Sequence, residues 1–198
     1  MQQRTASLIQ SRLLADLGVC TGIAVATTLS AQVSVGWPIP TTLQTFAVLG
    51  CAALFGARRG VGGQLLYLAA GAVGLPVFAD WTGGISVLTN PTAHPAGGFL
   101  YGFVLGAFVT GVICDRYGRS FYVSVPAMLL ASVAVYVPGL IWLGQAIPGL
   151  AWTGSGATVL HYGLWPFVFG DLAKIFAAAA IVDPRAPWGR VTDRLRMI

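Results

Sequence analysis

All ten arginines of this chain fall outside six long apolar runs, at the two ends and at alternate breaks between them. The runs are Leu13–Val35, Thr41–Gly56, Val61–Phe78, Gly98–Cys114, Phe121–Leu143 and Val159–Val182. Arg4 and Arg12 precede the first run, Arg58 and Arg59 separate the second from the third, and Arg116 and Arg119 separate the fourth from the fifth. Arg185, Arg190, Arg194 and Arg196 follow the sixth. The other connections, Gly36–Pro40, Ala79–Gly97 and Gly144–Thr158, contain neither Arg nor Lys. Runs of this length suit transmembrane helices, and basic residues collect on the cytoplasmic side. The pattern predicts an all-α integral membrane protein with six transmembrane helices, both termini cytoplasmic, forming a single membrane domain over residues 1–198.

Composition supports that reading. Hydrophobic residues make up 56% of the chain and charged residues 9%, with a mean hydropathy of +0.78. Ordinary soluble domains carry about a quarter charged residues. The alternation of an outer-membrane barrel is absent. A net charge of +5 raises the question of a nucleic-acid partner, but the placement of the arginines accounts for it through topology, and none is expected. Residues 1–10 carry one arginine and no small-residue cleavage site after a short apolar core, so no removable signal is expected. Cys20, Cys51 and Cys114 lie singly, without ligand spacing, and read as small packing residues.

Against this background the single lysine stands out. Lys174 lies inside the last apolar run, three residues after Asp171. Charged groups at membrane depth cost about 2.5–3.5 kcal/mol each on insertion scales, so their presence there suggests function. The i,i+3 spacing puts both on one helical face. Three readings are open: a helix–helix salt bridge, a proton or ion relay, and an anchor for a polar or anionic substrate. Arg12 and Asp16 form a second i,i+4 combination, expected as a surface pair of little energetic consequence.

The connections without arginine are longer and carry Trp, Thr, Asn, Pro and Gly, a composition that orders around ligands, so recognition is expected on the outer side. Thr42, Gln44 and Thr45 open the second run beside one such connection, and Asn90 belongs to the next. They read equally as helix caps or ligand contacts. Gln64 reads as an interhelical hydrogen bond. Small residues every four positions, Gly18, Gly22 and Ala26 in the first run and Gly102 and Gly106 in the fourth, permit close helix approach. Internal packing is the commoner cause; a docking face for another membrane subunit is the alternative for the first run. No phosphate-binding G-x-x-x-x-G-K-[ST], G-x-S-x-G or H-E-x-x-H motif occurs, so neither ATP hydrolysis nor hydrolase or metalloenzyme chemistry is expected.

Four segments in order resemble the BioY family, the biotin-specific substrate-binding (S) components of energy-coupling-factor transporters. They are Pro38-Ile39-Pro40-Thr41-Thr42-Leu43-Gln44-Thr45-Phe46; Arg58-Arg59-Gly60 running on to Gly74-Leu75-Pro76-Val77-Phe78-Ala79; Asn90-Pro91-Thr92 with Gly97-Gly98-Phe99; and Pro166-Phe167 with Gly170-Asp171-Leu172-Ala173-Lys174. The third departs from the family's compact P-T-G-G-Y: Ala93-His94-Pro95-Ala96 opens it, and Phe99 stands where tyrosine is usual, with Tyr101 available as a substitute hydroxyl.

The resemblance implies capture of biotin from the outer face of a bacterial inner membrane. Asp171 would accept from ureido N–H, with Asn90 or Gln44, and Thr42 beside it, meeting the remaining ureido groups. Lys174 would meet the ligand carboxylate or orient Asp171. Trp37, Trp81 and Phe99 would close over the ligand. It further implies a transmembrane coupling subunit and two ATP-binding cassette ATPases as partners, with Gly18, Gly22 and Ala26 as the docking face and ATP used only by those subunits. No cofactor is implied. The alternative is a stand-alone proton-coupled carrier of small anions with Asp171 as relay.

Overall fold

A computed structural model of the chain describes residues 2–35, 41–147, 149–154 and 158–197. The elements in order are α1 (Gln2–Ala31), β1 (Ser34–Val35), β2 (Thr41–Thr42), α2 (Gln44–Ala72), a 3-10 turn (Ala79–Trp81), α3 (Ser86–Thr89), α4 (Gly97–Tyr117), α5 (Phe121–Ala146), α6 (Val159–Gly163), α7 (Trp165–Val182) and α8 (Gly189–Met197). Among the described residues, four helical stretches are long and apolar enough to cross a membrane: Gln10–Ala31, Gly97–Tyr117, Phe121–Ala146 and Val159–Val182. Their outward faces are apolar too, with Leu17, Leu29, Phe108 and Val133 more than half exposed. A soluble bundle would place polar groups there. The chain is a helical membrane protein.

The expected second and third spans are the two arms of α2. Gly56 has φ 85° and ψ 173°, and the chain reverses at that one residue. The reversal is plain in the contacts: Gln44 Nε2 lies 2.8 Å from the Tyr67 hydroxyl, although a straight helix would separate them by about 34 Å. Only glycine readily adopts this backbone region. Space requires it as well, since a Cβ on Gly56 would sit 2.6 Å from Asp115 Oδ1. The Asp115 carboxylate accepts from Ala57 N at 2.9 Å and caps the second arm. The expected basic loop Ala57–Gly60 is therefore helical, and the turn is shorter than the sequence suggested. The arms, residues 44–55 and 57–72, extend about 18 and 24 Å, short of the 30 Å hydrocarbon core.

Other boundaries differ from expectation. The first helix stops at Ala31, not Val35, and passes into a short antiparallel pair, Ser34 opposite Thr42 and Val35 opposite Thr41. The third run ends as helix at Ala72; Gly74 takes φ 99°, and Pro76 bars continuation. The last run is broken at Leu164, ahead of Pro166 in the first turn of α7. The short helices α3 and α8 had no counterpart in the apolar pattern.

Buried residues of α1, α2, α4, α5 and α7 form one apolar cluster. Close approach depends on small residues where α4 meets its neighbours: a Cβ on Gly102 would fall 2.5 Å from Val135 O, and one on Gly111 2.3 Å from Ala57 Cα. Internal packing is thus the role of the α4 repeat. The α1 repeat differs, because Gly18 and Gly22 are exposed and, among the described residues, nothing beyond their own stretch of helix comes within 4 Å of a built Cβ. Gln64 reaches across to Thr27 Oγ1 at 3.0 Å, as its position suggested.

Charge gathers at one end of the bundle. Asp16 pairs with Arg59 at 2.7 Å and Arg58 at 3.4 Å, not with Arg12 as the spacing suggested; the tie joins α1 to the α2 turn. Asp183 accepts from Phe121 N at 2.8 Å, capping α5 from the end of α7, and buried Arg119 pairs with Asp193. Asp171 and Thr45 each lie eleven residues from this end, about 16 Å along their helices. That distance sets the depth of the site.

Candidate functional site

A cavity of about 220 Å³ opens at the end opposite the arginines. At about 30 Å³ per water it holds the space of roughly seven waters, enough for a small organic molecule. Gln44 and Thr45 of α2, Gly97 and Phe99 of α4, Tyr136 of α5, and Phe167, Asp171 and Lys174 of α7 line it, with Phe78, Asp80, Thr82 and His94 from the loops. The first arm of α2 is short, so its start lies deep, beside Asp171. Both that arm and α4 begin at the cavity, where the positive ends of the two helix dipoles favour negative charge.

The floor is a hydrogen-bonded carboxylate. Asp171 Oδ1 accepts from Lys174 Nζ at 2.9 Å and from Thr45 Oγ1 at 3.0 Å, while Oδ2 accepts from the Tyr136 hydroxyl. Side-chain exposure is 9% for Asp171 and 12% for Lys174, so the pair is nearly dry yet reaches the cavity. Three donors from three helices fix the carboxylate, a preorganised acceptor with lone-pair capacity left. Lys174 spends one of its three donors on Asp171.

The walls are aromatic. Phe99 packs edge-on against Tyr136, centroids 6.1 Å apart, and lies 6.3 Å from Phe167. Phe78 stands edge-on to Tyr67 at 5.3 Å, and its ring sits over Gly71, where a Cβ would approach to 2.0 Å. Gly97 and Gly98 serve the same end: Cβ atoms there would meet Val87 O at 2.2 Å and Trp142 Cβ at 2.2 Å. The doubled glycine lets α4 start against both α3 and α5.

At the rim, Asp80 (φ 55°) and Trp81 (φ 56°) hold left-handed backbone, uncommon for such residues. Gln32 at the end of α1 sustains it, donating to Phe78 O at 3.0 Å and accepting from Trp81 N at 3.1 Å. Ser34 Oγ donates to Asp80 Oδ1 at 3.0 Å.

Five of the nine expected binding residues meet at the cavity: Thr42, Gln44, Phe99, Asp171 and Lys174. The Gln44 amide already donates to Tyr67 and accepts from Thr42 Oγ1 at 2.8 Å. Asn90 lies outside the lining and its Oδ1 accepts from Ala93 N at 3.1 Å, a turn-forming role. The Tyr101 hydroxyl donates to Leu88 O, and Trp81 is 62% exposed at the rim, so neither lines the cavity. Trp37 lies outside the described residues. Sequence reasoning missed Tyr136 altogether, and it placed Thr45 near the site without foreseeing its bond to Asp171.

Comparison with known proteins places the chain in a family. A profile described as the BioY family matches residues 1–190. The chain belongs to the BioY family. Among BioY proteins, the "Biotin transporter BioY" of Thermotoga maritima is 36% identical over 171 residues, 86% of this chain and 93% of that protein. The protein of the same name from Rhizobium etli is 34% identical over 168 residues, 80% of this chain and 84% of that one. In fold, the chain matches a crystal structure of "the S-component for biotin from an ECF-type ABC transporter" with a TM-score of 0.71 at 20% identity, over 95% of this chain and 94% of the other.

Proposed function

We propose that this chain is the biotin-capturing component of a vitamin uptake transporter, with Asp171 as the acceptor for the ureido N–H groups. The observation that carries the reading is the carboxylate held by Thr45, Tyr136 and Lys174 at the floor of an aromatic cavity. Biotin offers a ureido ring with two N–H donors, an apolar thioether ring and a carboxylate. The floor supplies the acceptor and Phe99 and Phe167 the apolar wall. Lys174 orients Asp171 through the 2.9 Å bond, and its remaining donors, with the N-termini of α2 and α4, favour the ligand's negative charge. Gln44, Thr42 and Asn90 then act by holding the pocket's edges, and Trp81 closes the rim.

The arms of α2 complete six crossings in a single membrane unit. The arginine-rich end faces the cytoplasm of a bacterial inner membrane and the cavity opens outward. A transmembrane coupling subunit and two ATP-binding cassette ATPases drive delivery, with the exposed Gly18 and Gly22 and neighbouring Ala26 forming the docking face. The chain itself does no catalysis and holds no cofactor.

Mass spectrometry of small molecules released from the detergent-purified chain tests the substrate, and biotin is the expected species. Release of a different ligand, with no saturable biotin binding, would refute the reading. The stand-alone carrier is distinguished by uptake in cells lacking the coupling subunits: abolition by a protonophore would favour it, and no uptake at all favours the coupled transporter.

A further inference from the structure

Beyond the ligand cavity, the far end of the molecule carries a surface built on helix α8. Helix α8 is pinned at a fixed roll. Arg119, nearly inaccessible, pairs with Asp193 and donates to Thr192 O at 3.5 Å, and Thr192 and Gly189 are buried beneath. A Cβ on Gly189 would fall 2.0 Å from Pro184 O, so the approach of α8 to the end of α7 is tight. With those positions turned inward, Trp188 (45% exposed) and Val191 (59%) face out. The Trp188 indole donates to Ile181 O at 2.9 Å, setting its ring at the depth of the last turn of a membrane-spanning helix. Ile181 is itself 43% exposed, so Trp188 and Val191 extend the lipid-facing wall of α7. Near these two residues in sequence, Arg194 is exposed and Arg185 keeps 66% exposure despite a 3.6 Å contact to Asp183. From Asp183 to the end the chain has four arginines against two aspartates.

An outward tryptophan at interface depth, an outward valine one turn on and flanking arginines fit a helix lying in the headgroup layer. We propose that α8 forms a binding surface for anionic lipid headgroups, with Trp188 and Val191 seated at the acyl boundary and Arg185 and Arg194 meeting lipid phosphates. Basic residues near an anionic leaflet gain binding strength that falls off within a Debye length, so the interaction is salt-sensitive. The surface is independent of the cavity and of what the cavity binds.

The test is hydrogen–deuterium exchange of the full chain in lipid nanodiscs of phosphatidylcholine, with and without phosphatidylglycerol. Phosphatidylglycerol should slow exchange across residues 186–197 by on the order of tenfold, two arginines each contributing a few-fold, and high salt should reverse the effect. The double variant Arg185→Gln/Arg194→Gln should lose it, and Arg185→Lys/Arg194→Lys should keep it. Amides of α4 and α7 report whether each variant is folded; if the glutamine variant is not, the lysine variant and the salt dependence of the natural chain decide. Exchange indifferent to phosphatidylglycerol, or retained protection in a folded glutamine variant, would overturn the proposal. So would protection that appears only when a cytoplasmic protein is added.

Discussion

Replacing Lys174 by methionine keeps most of the side-chain volume and removes the charge. Asp171 is then a carboxylate with 9% side-chain exposure and no cation. Breaking one side of a buried ion pair typically costs about 3–5 kcal/mol. Thr45 and Tyr136 still donate to Asp171, and Lys174 opens slightly to the cavity, so the lower end, about 3 kcal/mol, is expected. Asp171→Asn strands the ammonium and should cost a similar amount. The double variant has no charge left at this site and keeps both hydroxyl donors, so it should be more stable than the sum of the singles by about 2 kcal/mol or more. Thermal unfolding of the four detergent-purified proteins reads this directly, at roughly 2–4 °C per kcal/mol by the scaling for chains of this size. Single-variant losses that simply add in the double would refute the claim that these groups form one buried, mutually compensating pair.

Three further outcomes follow from other parts of the structure. Gly56→Ala meets both a glycine-only backbone region and the Asp115 carboxylate, and should lower stability by about 1–3 kcal/mol from backbone strain alone, seen as a lower unfolding midpoint. Gln32→Leu removes the bonds holding the rim turn at Phe78–Trp81 and should speed ligand dissociation several-fold in stopped-flow measurements, with less effect on unfolding temperature. Backbone N–H groups of Arg185 and Phe121 hold the Asp183 carboxyl below its ordinary value of 3.8. Its stabilising contribution is therefore complete above that value and lost as pH falls through the lowered one, and Asp183→Asn should flatten this part of the acid-unfolding profile.

The arginine map and the Asp171–Lys174 pair were legible in the sequence because charge is expensive in lipid and its placement is therefore informative. The family followed from ordered motifs around them. Tyr136 was not legible: a tyrosine in an apolar helix reads as packing, and only the fold brings it to Asp171 from 35 residues away. Gly56 escaped notice because Arg58-Arg59 suggested a solvated loop, whereas a glycine-only backbone angle allows reversal at one residue. Asn90 and Tyr101 sat in the right segments, but side-chain direction in a loop depends on local backbone bonds, here to Ala93 N and Leu88 O. Helix α8 was hidden by its low hydropathy.

Calorimetric titration of the purified chain with biotin tests the central claim most directly, run beside Asp171→Asn and, as a remote control, Arg185→Gln. Losing a charged acceptor should weaken binding by about tenfold or more in Asp171→Asn, while the control matches the natural chain. Equal affinity in the natural chain and a folded Asp171→Asn variant would show that biotin does not rest on this carboxylate.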